Sequence, residues 1–164
     1  MNFQRNLAFI VTTLALSGPA LLHAADTERQ RDVAKRGAQV MPFNLALTTH
    51  VFEPLADGGL QRVVAKDPNN RTQIALIRSH LKEEADRFQR GDFADPAKIH
   101  GADMPGLAEL SRGAAQIDVA YAERADGAEI RYTAKDPALV DALHRWFLAQ
   151  LHDHGHDAVM HSHQ

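Results

Sequence analysis

Alternating apolar and polar residues in the second half of the chain predict a β-hairpin. Asp126-Gly127 lies at its centre, and this pair favours a type I′ turn because both residues tolerate positive φ angles. On either side, every second residue is apolar, which is the pattern of a strand with one buried face. These apolar positions are Ile117, Val119, Tyr121, Ile130 and Tyr132.

A helix is predicted to follow this hairpin. Asp136-Pro137 marks its start, since aspartate accepts a backbone N–H at the N-cap and proline suits the first helical position. We expect the helix to run from about Ala138 to Asp153 and to end at Gly155. Its apolar stripe consists of Leu139, Val140, Leu143, Trp146, Phe147 and Leu151.

The first half of the chain predicts the same order of elements. Leu45 to Glu53 is a predicted strand, a longer loop holds Pro54 and Asp57-Gly58, and a second strand follows over Leu60 to Ala65. A helix is expected over about Arg71 to Arg90. Its apolar side consists of Ile74, Ile77, Leu81, Ala85 and Phe88.

The two halves share a repeated sequence. The segments that begin at Ala56 and Ala125 lie 69 residues apart and are identical at eight of 13 positions without a gap. Antiparallel hairpins with one apolar face need cover, which two amphipathic helices provide. The sequence therefore predicts an α+β fold in which a duplicated ββα unit, over 45–90 and 115–153, forms a four-stranded antiparallel sheet with two helices on one face. Chance similarity of two short hairpins is the alternative to duplication.

Other segments complete the predicted organisation. Thr27 to Val40 is charged and predicts a peripheral helix. Gly91 to Gly113 is a connector, interrupted by glycines and prolines, with a short helix predicted over Gly106 to Ser111. We expect residues 25–151 to form a single domain and residues 152–164 to form a histidine-rich tail.

The N-terminus predicts export. Arg5 precedes the short apolar run Leu7 to Leu16, and Leu22-His23-Ala24 offers a small residue before a cut at Ala25. Ten apolar residues are too few to span a bilayer, which needs about 20. Residues 1–24 are therefore predicted to be a signal peptide, and the mature protein is predicted to be periplasmic or secreted, without a membrane anchor.

Composition excludes several classes of function. The chain has no cysteine, which excludes disulfides, a thiol nucleophile and iron–sulfur ligation by cysteine. Loss of Arg5 with the signal leaves 17 basic and 21 acidic side chains, a formal charge of −4. A slightly acidic protein of this kind does not predict binding to nucleic acid, which needs a basic patch.

The C-terminal tail predicts metal binding. Five of the ten histidines lie in the last 13 residues, and neutral imidazole is a good ligand for zinc, copper(II) and nickel. A disordered polar terminus that is rich in histidine by chance is the alternative. The candidate ligands of the tail are His152, His154, His156, His161 and His163.

The connector offers a second candidate metal site. His100 and Met104 are four residues apart, and a thioether with an imidazole suits copper(I). His50, His80 and His144 are candidates to join them, although a lone histidine more often hydrogen-bonds to backbone. Non-covalent haem on His80 or His144 is a further alternative. Glu83-Glu84 and Asp86 are interpreted as a solvated helix face, and no catalytic motif is present.

Several short motifs resemble a family of small exported bacterial proteins that often carry the label aspartate carbamoyltransferase. They are Ile77-Arg78-Ser79-His80-Leu81, Arg90-Gly91-Asp92-Phe93, Ile99-His100-Gly101, Met104-Pro105-Gly106-Leu107 and His144-x-Trp146-Phe147-x-x-Gln150. The label implies transfer of a carbamoyl group from carbamoyl phosphate to aspartate. The Ser-Thr-Arg-Thr phosphate-binding motif of that enzyme is missing here, so the sequence does not predict its activity.

Two hypotheses of function follow. The first is a periplasmic protein that binds copper or zinc through its histidine-rich tail, with His100 and Met104 as a second site. The alternative is a non-catalytic module that binds a periplasmic partner protein or another ligand, in which case the tail is incidental. An enzyme is the less favoured reading.

Overall fold

The computed structural model describes the backbone of residues 19–161 and the side chains of residues 26–161. The signal peptide predicted over residues 1–24 and the tail residue His163 lie wholly or largely outside this range. The helices are α1 (Pro19–Val40), α2 (Arg71–Phe88), α3 (Ala94–His100), α4 (Leu107–Gly113) and α5 (Pro137–His154). The strands are β1 (Thr48–Leu55), β2 (Gly58–Ala65), β3 (Ile117–Arg124), β4 (Gly127–Ala134) and β5 (Ala158–Met160).

The fold is α+β, as predicted, but the sheet has five strands and is mixed. Its order is β3-β4-β2-β1-β5, and the first four strands are antiparallel to their neighbours. Strand β5 pairs in parallel with β1 through His50, Val51 and Phe52. The prediction of four strands was wrong because β5 has only three residues, which is too short to show an alternating pattern.

Strand β1 also extends further than predicted. Pro54 lies within it, opposite Gly59 of β2, and the turn consists of Ala56 and Asp57. Proline lacks a backbone N–H, so a strand accepts it where no neighbour needs that donor. Strand β5 pairs with β1 only as far as Phe52. At Pro54, no strand of the described residues therefore lies on the outer edge of β1.

Strands β2 and β4 pair symmetrically at the centre of the sheet. Gly58 lies opposite Thr133 and Val64 lies opposite Gly127, with Gln61 opposite Ile130 in the middle. A Cβ on Gly58 would lie 2.0 Å from the carbonyl oxygen of Tyr132, and one on Gly127 would lie 2.0 Å from that of Val63. Glycine is therefore required at both positions, which lie at the two ends of the β2–β4 pairing.

Helices α2 and α5 cover one face of the sheet, as predicted. Each has a capped start: the Asn70 side chain accepts the N–H of Gln73, and that of Asp136 accepts the N–H of Ala138. Phe52 of β1 and Phe147 of α5 are fully buried, with ring centroids 5.2 Å apart. Complete burial of such a side chain contributes about 2–3 kcal/mol.

Three helices outside these units close the rest of the core. Helix α4 agrees with the prediction, whereas α3 was missed because Asp95-Pro96 was interpreted as a helix breaker. Proline is compatible with a first helical turn, where its missing N–H has no partner to lose. Helix α1 covers the predicted peripheral helix, yet it is anchored: Val33 is 1% exposed and belongs to the core.

The histidine-rich segment is folded along most of its described length. His152 and His154 form the last turn of α5, His156 lies in a 3₁₀ turn, and β5 follows. The N–H of His161 donates to the carbonyl oxygen of Phe52. Truncation after Gln150 would thus remove part of the fold. Over residues 19–161, no helix combines the length and apolarity needed to cross a bilayer.

Replacement of Gly106 by alanine tests the packing of α4 on α5. Gly106 has a φ of 82°, and a Cβ there would lie 2.0 Å from the carbonyl oxygen of Ala142. We expect Gly106→Ala to lower the free energy of unfolding in urea by at least ~2 kcal/mol, since left-handed backbone alone costs about 1–2 kcal/mol. The exposed Ala102→Ser is the control and should change it by less than about 0.5 kcal/mol. Equal stability of Gly106→Ala and the wild type would contradict this packing.

Candidate functional site

A polar cavity lies under the covered face of the sheet. Its volume is about 40 Å³, and strands β1, β2 and β4 and helices α2, α3 and α5 all contribute to its wall. Such a space holds a small number of atoms, such as an ion with its water, and is too small for a haem. Its polar and charged lining residues are His50, Gln61, His80, Glu84, Asp95, His100, Gln150 and His154.

Three imidazoles from three different elements meet at one end of the cavity. The ring centroids of His50 and His154 lie 4.4 Å apart, with an interplanar angle of 9°. Those of His100 and His154 lie 5.1 Å apart, with an angle of 81°. His50 and His100 are each 3% exposed, whereas His154 is partly exposed. We call His50, His100 and His154 the histidine cluster.

The local structure explains why these side chains converge. His50 alternates on β1 with the buried Thr48 and Phe52, so it shares their inward face. His154 follows Trp146 by eight residues on α5, which places both on the same face of the helix. His100 is the last residue of α3 and is buried there. Fold-level packing then brings the three positions together.

A buried carboxylate orients one member of the cluster. His100 Nδ1 donates to Asp153 Oδ2 at 2.9 Å, and both side chains are 3% exposed. Arg29 of α1 donates to both oxygens of Asp153, at 2.5 and 2.8 Å. Burial alone would raise the pKa of Asp153, but the hydrogen bonds from His100 and Arg29 hold it below its usual value. Nδ1 of His100 thus carries the proton, and the Nε2 lone pair is free to act as a ligand.

Helix α1 holds the two segments that carry His100 and Asp153. Arg29 Nη2 donates to the backbone carbonyl of His100 at 3.1 Å, and Arg36 Nε donates to that of Ile99 at 2.6 Å. Gln30 Nε2 donates to the carbonyl of His152 at 2.9 Å. The end of α3 and the end of α5 are therefore fixed relative to each other by α1.

Three histidines of the cavity, His50, His80 and His154, have lowered pKa values. Burial, followed by the proximity of His100, lowers the pKa of His50 to about 4. Burial, followed by the proximity of His50 and His100, holds the pKa of His154 well below its usual value. Burial also lowers the pKa of His80. A neutral imidazole keeps a lone pair, which is the form that binds metal ions.

Glu84 lies in the wall of the cavity and not on a solvated face, so that interpretation of the sequence was wrong. It is 7% exposed because it falls on the inward side of α2 with Leu81 and Phe88. Burial raises the pKa of Glu84 to about 8, the nearby Asp95 adds to this, and Arg87 opposes it. Its carboxyl is therefore protonated at neutral pH.

Four buried polar atoms on cavity residues lack a hydrogen-bond partner within the described part of the chain. They are His50 Nδ1, Glu84 Oε1, Trp146 Nε1 and Gln150 Nε2. Glu84 Oε1 lies 3.5 Å from Arg87 Nη1 without forming a hydrogen bond. Buried polar groups are normally paired, so four unpaired atoms around one cavity indicate a site for a ligand or for ordered water.

As they stand, no three His, Asp or Glu side chains between residues 26 and 161 form a group that could hold a metal ion. In the cluster, the rings of His50 and His154 are stacked face to face, whereas two ligands of one ion must turn a nitrogen towards a common point. The spacing itself is suitable. With metal–nitrogen bonds of about 2.1 Å, two imidazoles on one tetrahedral ion have centroids about 5 Å apart.

The structure separates the histidines of the predicted tail. Only His154 turns inward, while His152, His156 and His161 are exposed. The side chain of His156 is 89% exposed and lies 3.4 Å from Asp157. The described tail histidines are therefore divided between the cavity and the surface, and His163 lies outside the described residues.

The residues predicted for the connector site are also separated. His100 faces the cavity, whereas Met104 is buried in the core and is not part of the cavity wall. Met41 is the methionine that lines the cavity. His144 Nε2 lies 2.8 Å from the carbonyl oxygen of Gly58 and 3.1 Å from that of Leu55, as expected for a histidine bonded to backbone.

Sequence reasoning missed several residues of the site. Gln61, Glu84 and Gln150 each stand at an inward position of a strand or helix that is otherwise apolar. The sequence signal that could have identified such residues is a polar residue within an apolar stripe. Gln150 is an example, since it follows Trp146 by four residues on the same face of the helix. Asp153 could not be found in this way, because its partners lie 53 and 124 residues away in the chain.

Comparisons of the chain with protein-family models, curated proteins and solved structures found no match. The site is therefore interpreted from its own geometry and chemistry.

The pH dependence of stability tests the burial of Glu84. Because its pKa is about 8 in the folded protein and 4.5 when unperturbed, the stability that it contributes is complete below pH 4.5 and is lost as pH rises towards 8. Between pH 6.5 and 8 the wild type should lose about 2 kcal/mol of unfolding free energy, and Glu84→Gln should abolish this loss. Urea denaturation at several pH values measures it.

Glu28→Gln, at an exposed position of α1, is the matched control and should leave the slope unchanged. The buried His50 loses its contribution to stability below this pH range. The pKa of His50 is lowered from 6.5 to about 4, so its contribution is complete above pH 6.5 and is lost as pH falls towards 4. Equal slopes for the wild type and Glu84→Gln would show that the carboxyl is solvated.

Proposed function

We propose that this protein is an exported binding protein for a transition-metal ion, copper or zinc, and that the histidine cluster holds the ion. The observation that carries the proposal is the meeting of three imidazoles in the wall of a polar cavity, with ring centroids 4.4 and 5.1 Å apart. Imidazole nitrogen is a good ligand for zinc and copper, and three such ligands leave a fourth position open.

The surroundings of the cluster support this proposal. Metal-binding histidines usually donate their second nitrogen to a carboxylate, which fixes the ring and raises its basicity. Asp153 stands in this relation to His100, and Arg29 keeps Asp153 in place. Binding requires that the stacked rings of His50 and His154 turn towards a common point. His154 is the partly exposed member, so we expect its ring to make this movement.

The exposed histidines supply a second, weaker part of the proposed function. His152 and His156 lie on either side of His154 in the chain, and His161 follows β5. We propose that they capture an ion at the surface, close in sequence to the ligand that leads into the cavity. The proposed location is the periplasm or the extracellular space, which rests on the predicted signal peptide.

We infer that the two ββα units arose by duplication. With an offset of 69 residues, Gly58 corresponds to Gly127 and Gln61 corresponds to Ile130. The pairing of β2 with β4 is symmetric about that central pair. The N–H of Ala65 donates to the Asp126 carbonyl at 2.8 Å, and the corresponding bond from Ala134 to Asp57 is 2.9 Å. Gln61 and Ile130, the central pair of this symmetric pairing, are both part of the cavity wall. The cavity therefore adjoins the local twofold axis that relates the two units.

The resemblance to exported proteins labelled aspartate carbamoyltransferase stays a prediction, and we do not propose that activity. Carbamoyl phosphate needs cationic groups around its phosphate, and no lysine or arginine lines the cavity in the described part of the chain. Haem binding by His144 is not proposed either, since its Nε2 faces two backbone carbonyls.

Metal titration of the mature protein, from Ala25, tests the proposal. Trp146 is the only tryptophan and lines the cavity, so copper(II) in the cluster should quench its fluorescence. We expect one ion per chain to bind tightly. His154→Ala should weaken binding by more than about 100-fold, because loss of a ligand costs more than loss of an outer-shell partner, which costs about 10–100-fold.

The control keeps the cluster and removes the surface histidines. A variant with His152→Ala, His156→Ala and His161→Ala should retain the tight site and its quenching, and should lose only weaker additional binding. Competition with chelators should be repeated with zinc, whose binding leaves fluorescence unquenched. If this triple variant abolishes tight binding while His154→Ala preserves it, the cluster is not the site.

Replacement of Asp153 by asparagine tests the orientation of His100. Asparagine keeps the size of the side chain but removes the charge that fixes the protonated Nδ1. We expect copper or zinc affinity to fall by about 10–100-fold in competition titrations. Asp141→Asn is the matched control, since Asp141 lies at an exposed position of α5 and pairs with Arg145, and it should retain wild-type affinity. If both variants bound copper and zinc with wild-type affinity, Asp153 would have no role in the metal site.

A further inference from the structure

Two N–H donors on residues that line the cavity have no acceptor within the described residues. They are Trp146 Nε1 and Gln150 Nε2, on side chains that are 0% and 4% exposed. Both residues line the cavity and lie one turn apart on α5. We call Trp146 and Gln150 the donor pair. An N–H that is removed from water and left without an acceptor is unfavourable, so the pair indicates a ligand that accepts hydrogen bonds.

The donor pair and the histidine cluster share one face of α5. Trp146, Gln150 and His154 follow each other at intervals of four residues, so their side chains lie in a row. The rise of a helix places Gln150 and His154 about 6 Å apart along the axis. An ion on His154 and a small molecule on Gln150 would therefore be neighbours in the same cavity.

We infer that the cavity binds a small carboxylate, which occupies the open position of the metal ion with one oxygen and accepts hydrogen bonds from the donor pair with the other. This inference rests on the proposed metal-binding function. It names the class of second ligand that the site takes.

The chemistry of the cavity favours a carboxylate over other small ligands. A carboxylate only accepts hydrogen bonds and has two oxygens, which matches an ion on His154 and two N–H donors on the preceding turns of α5. Its negative charge is balanced by the ion. The volume of about 40 Å³ restricts the ligand to a few atoms, such as formate or acetate.

The charged groups near the donor pair do not oppose such a ligand. Asp95 is paired with Arg87, whose Nη1 donates to its Oδ2 at 2.6 Å. Burial raises the pKa of Glu84 to about 8, so that carboxyl is neutral at pH 7 and can itself donate. Gln61 is engaged through its amide oxygen, which accepts from the hydroxyl of Tyr132 at 3.0 Å.

Titration of the metal-loaded mature protein with sodium formate and sodium acetate tests this inference. Cobalt(II) is the probe ion, because its visible absorption changes when a ligand replaces water in its coordination sphere. We expect saturable binding of one carboxylate per ion. Benzoate should bind at least ~10-fold more weakly, since the cavity cannot hold its ring. This size discrimination needs no variant.

A substitution then tests the donor pair. Gln150→Met keeps the length of the side chain and removes the donor, so it should weaken acetate binding by ~10-fold or more while changing cobalt affinity by less than ~3-fold. Gln39→Met, at an exposed position of α1, is the matched control and should match the wild type.

The outcomes separate the two proposals. If cobalt binds tightly but its spectrum ignores formate and acetate, this inference is overturned and the metal-binding function stands. Benzoate binding as tight as that of acetate, or an unchanged acetate affinity in Gln150→Met, also overturns it, since the ligand would then lie outside the cavity. Failure of the protein to bind any of the metals overturns both.

Discussion

The rest of the site depends on the hydrogen bonds that the carboxylate of Asp153 accepts. This carboxylate is buried at the end of α5, accepts hydrogen bonds from Nε and Nη2 of Arg29, and orients the imidazole of His100. A buried charge of this kind is stable only while its partners remain, and loss of one partner leaves an uncompensated charge. Helix α1, the end of α3 and the end of α5 are consequently bound to one another at this point, and the histidine cluster lies beside it.

The cavity shows how a cysteine-free domain can carry a polar interior. Trp146, Phe147 and Tyr132 fill the core around it, with Trp146 edge-on to Tyr132 at a centroid distance of 5.9 Å. This aromatic packing stabilises the fold and offsets the unfavourable burial of unpaired polar atoms. His50 and His154, whose pKa values are lowered, and the protonated Glu84 thus line the same cavity inside the domain.

Local patterns predicted the elements whose signal lies within a few residues. The hairpin of β3 and β4, the Asp136 N-cap and the apolar stripes of α2 and α5 are all properties of neighbouring residues, and the structure contains each of them. The turn itself is formed by Ala125 and Asp126, and neither Asp126 nor Gly127 has a positive φ, so the predicted type I′ turn at Asp126-Gly127 was wrong. Strand β5 was missed because its three residues pair with β1, about 108 residues earlier in the chain. Helix α3 was missed because Pro96 suggested a break where it begins a helix.

The amino-acid sequence by itself determined the fold class, the four long strands, the two covering helices and the chemistry available, which is a chain rich in histidine and without cysteine. Tertiary structure alone decided which histidines meet. The alternation of His152, His154 and His156 describes one uniform tail, yet the end of α5 turns only His154 towards His50 and His100. The physical reason is that secondary structure follows from local periodicity, whereas a site depends on contacts between segments that are distant in the chain and are brought together by packing.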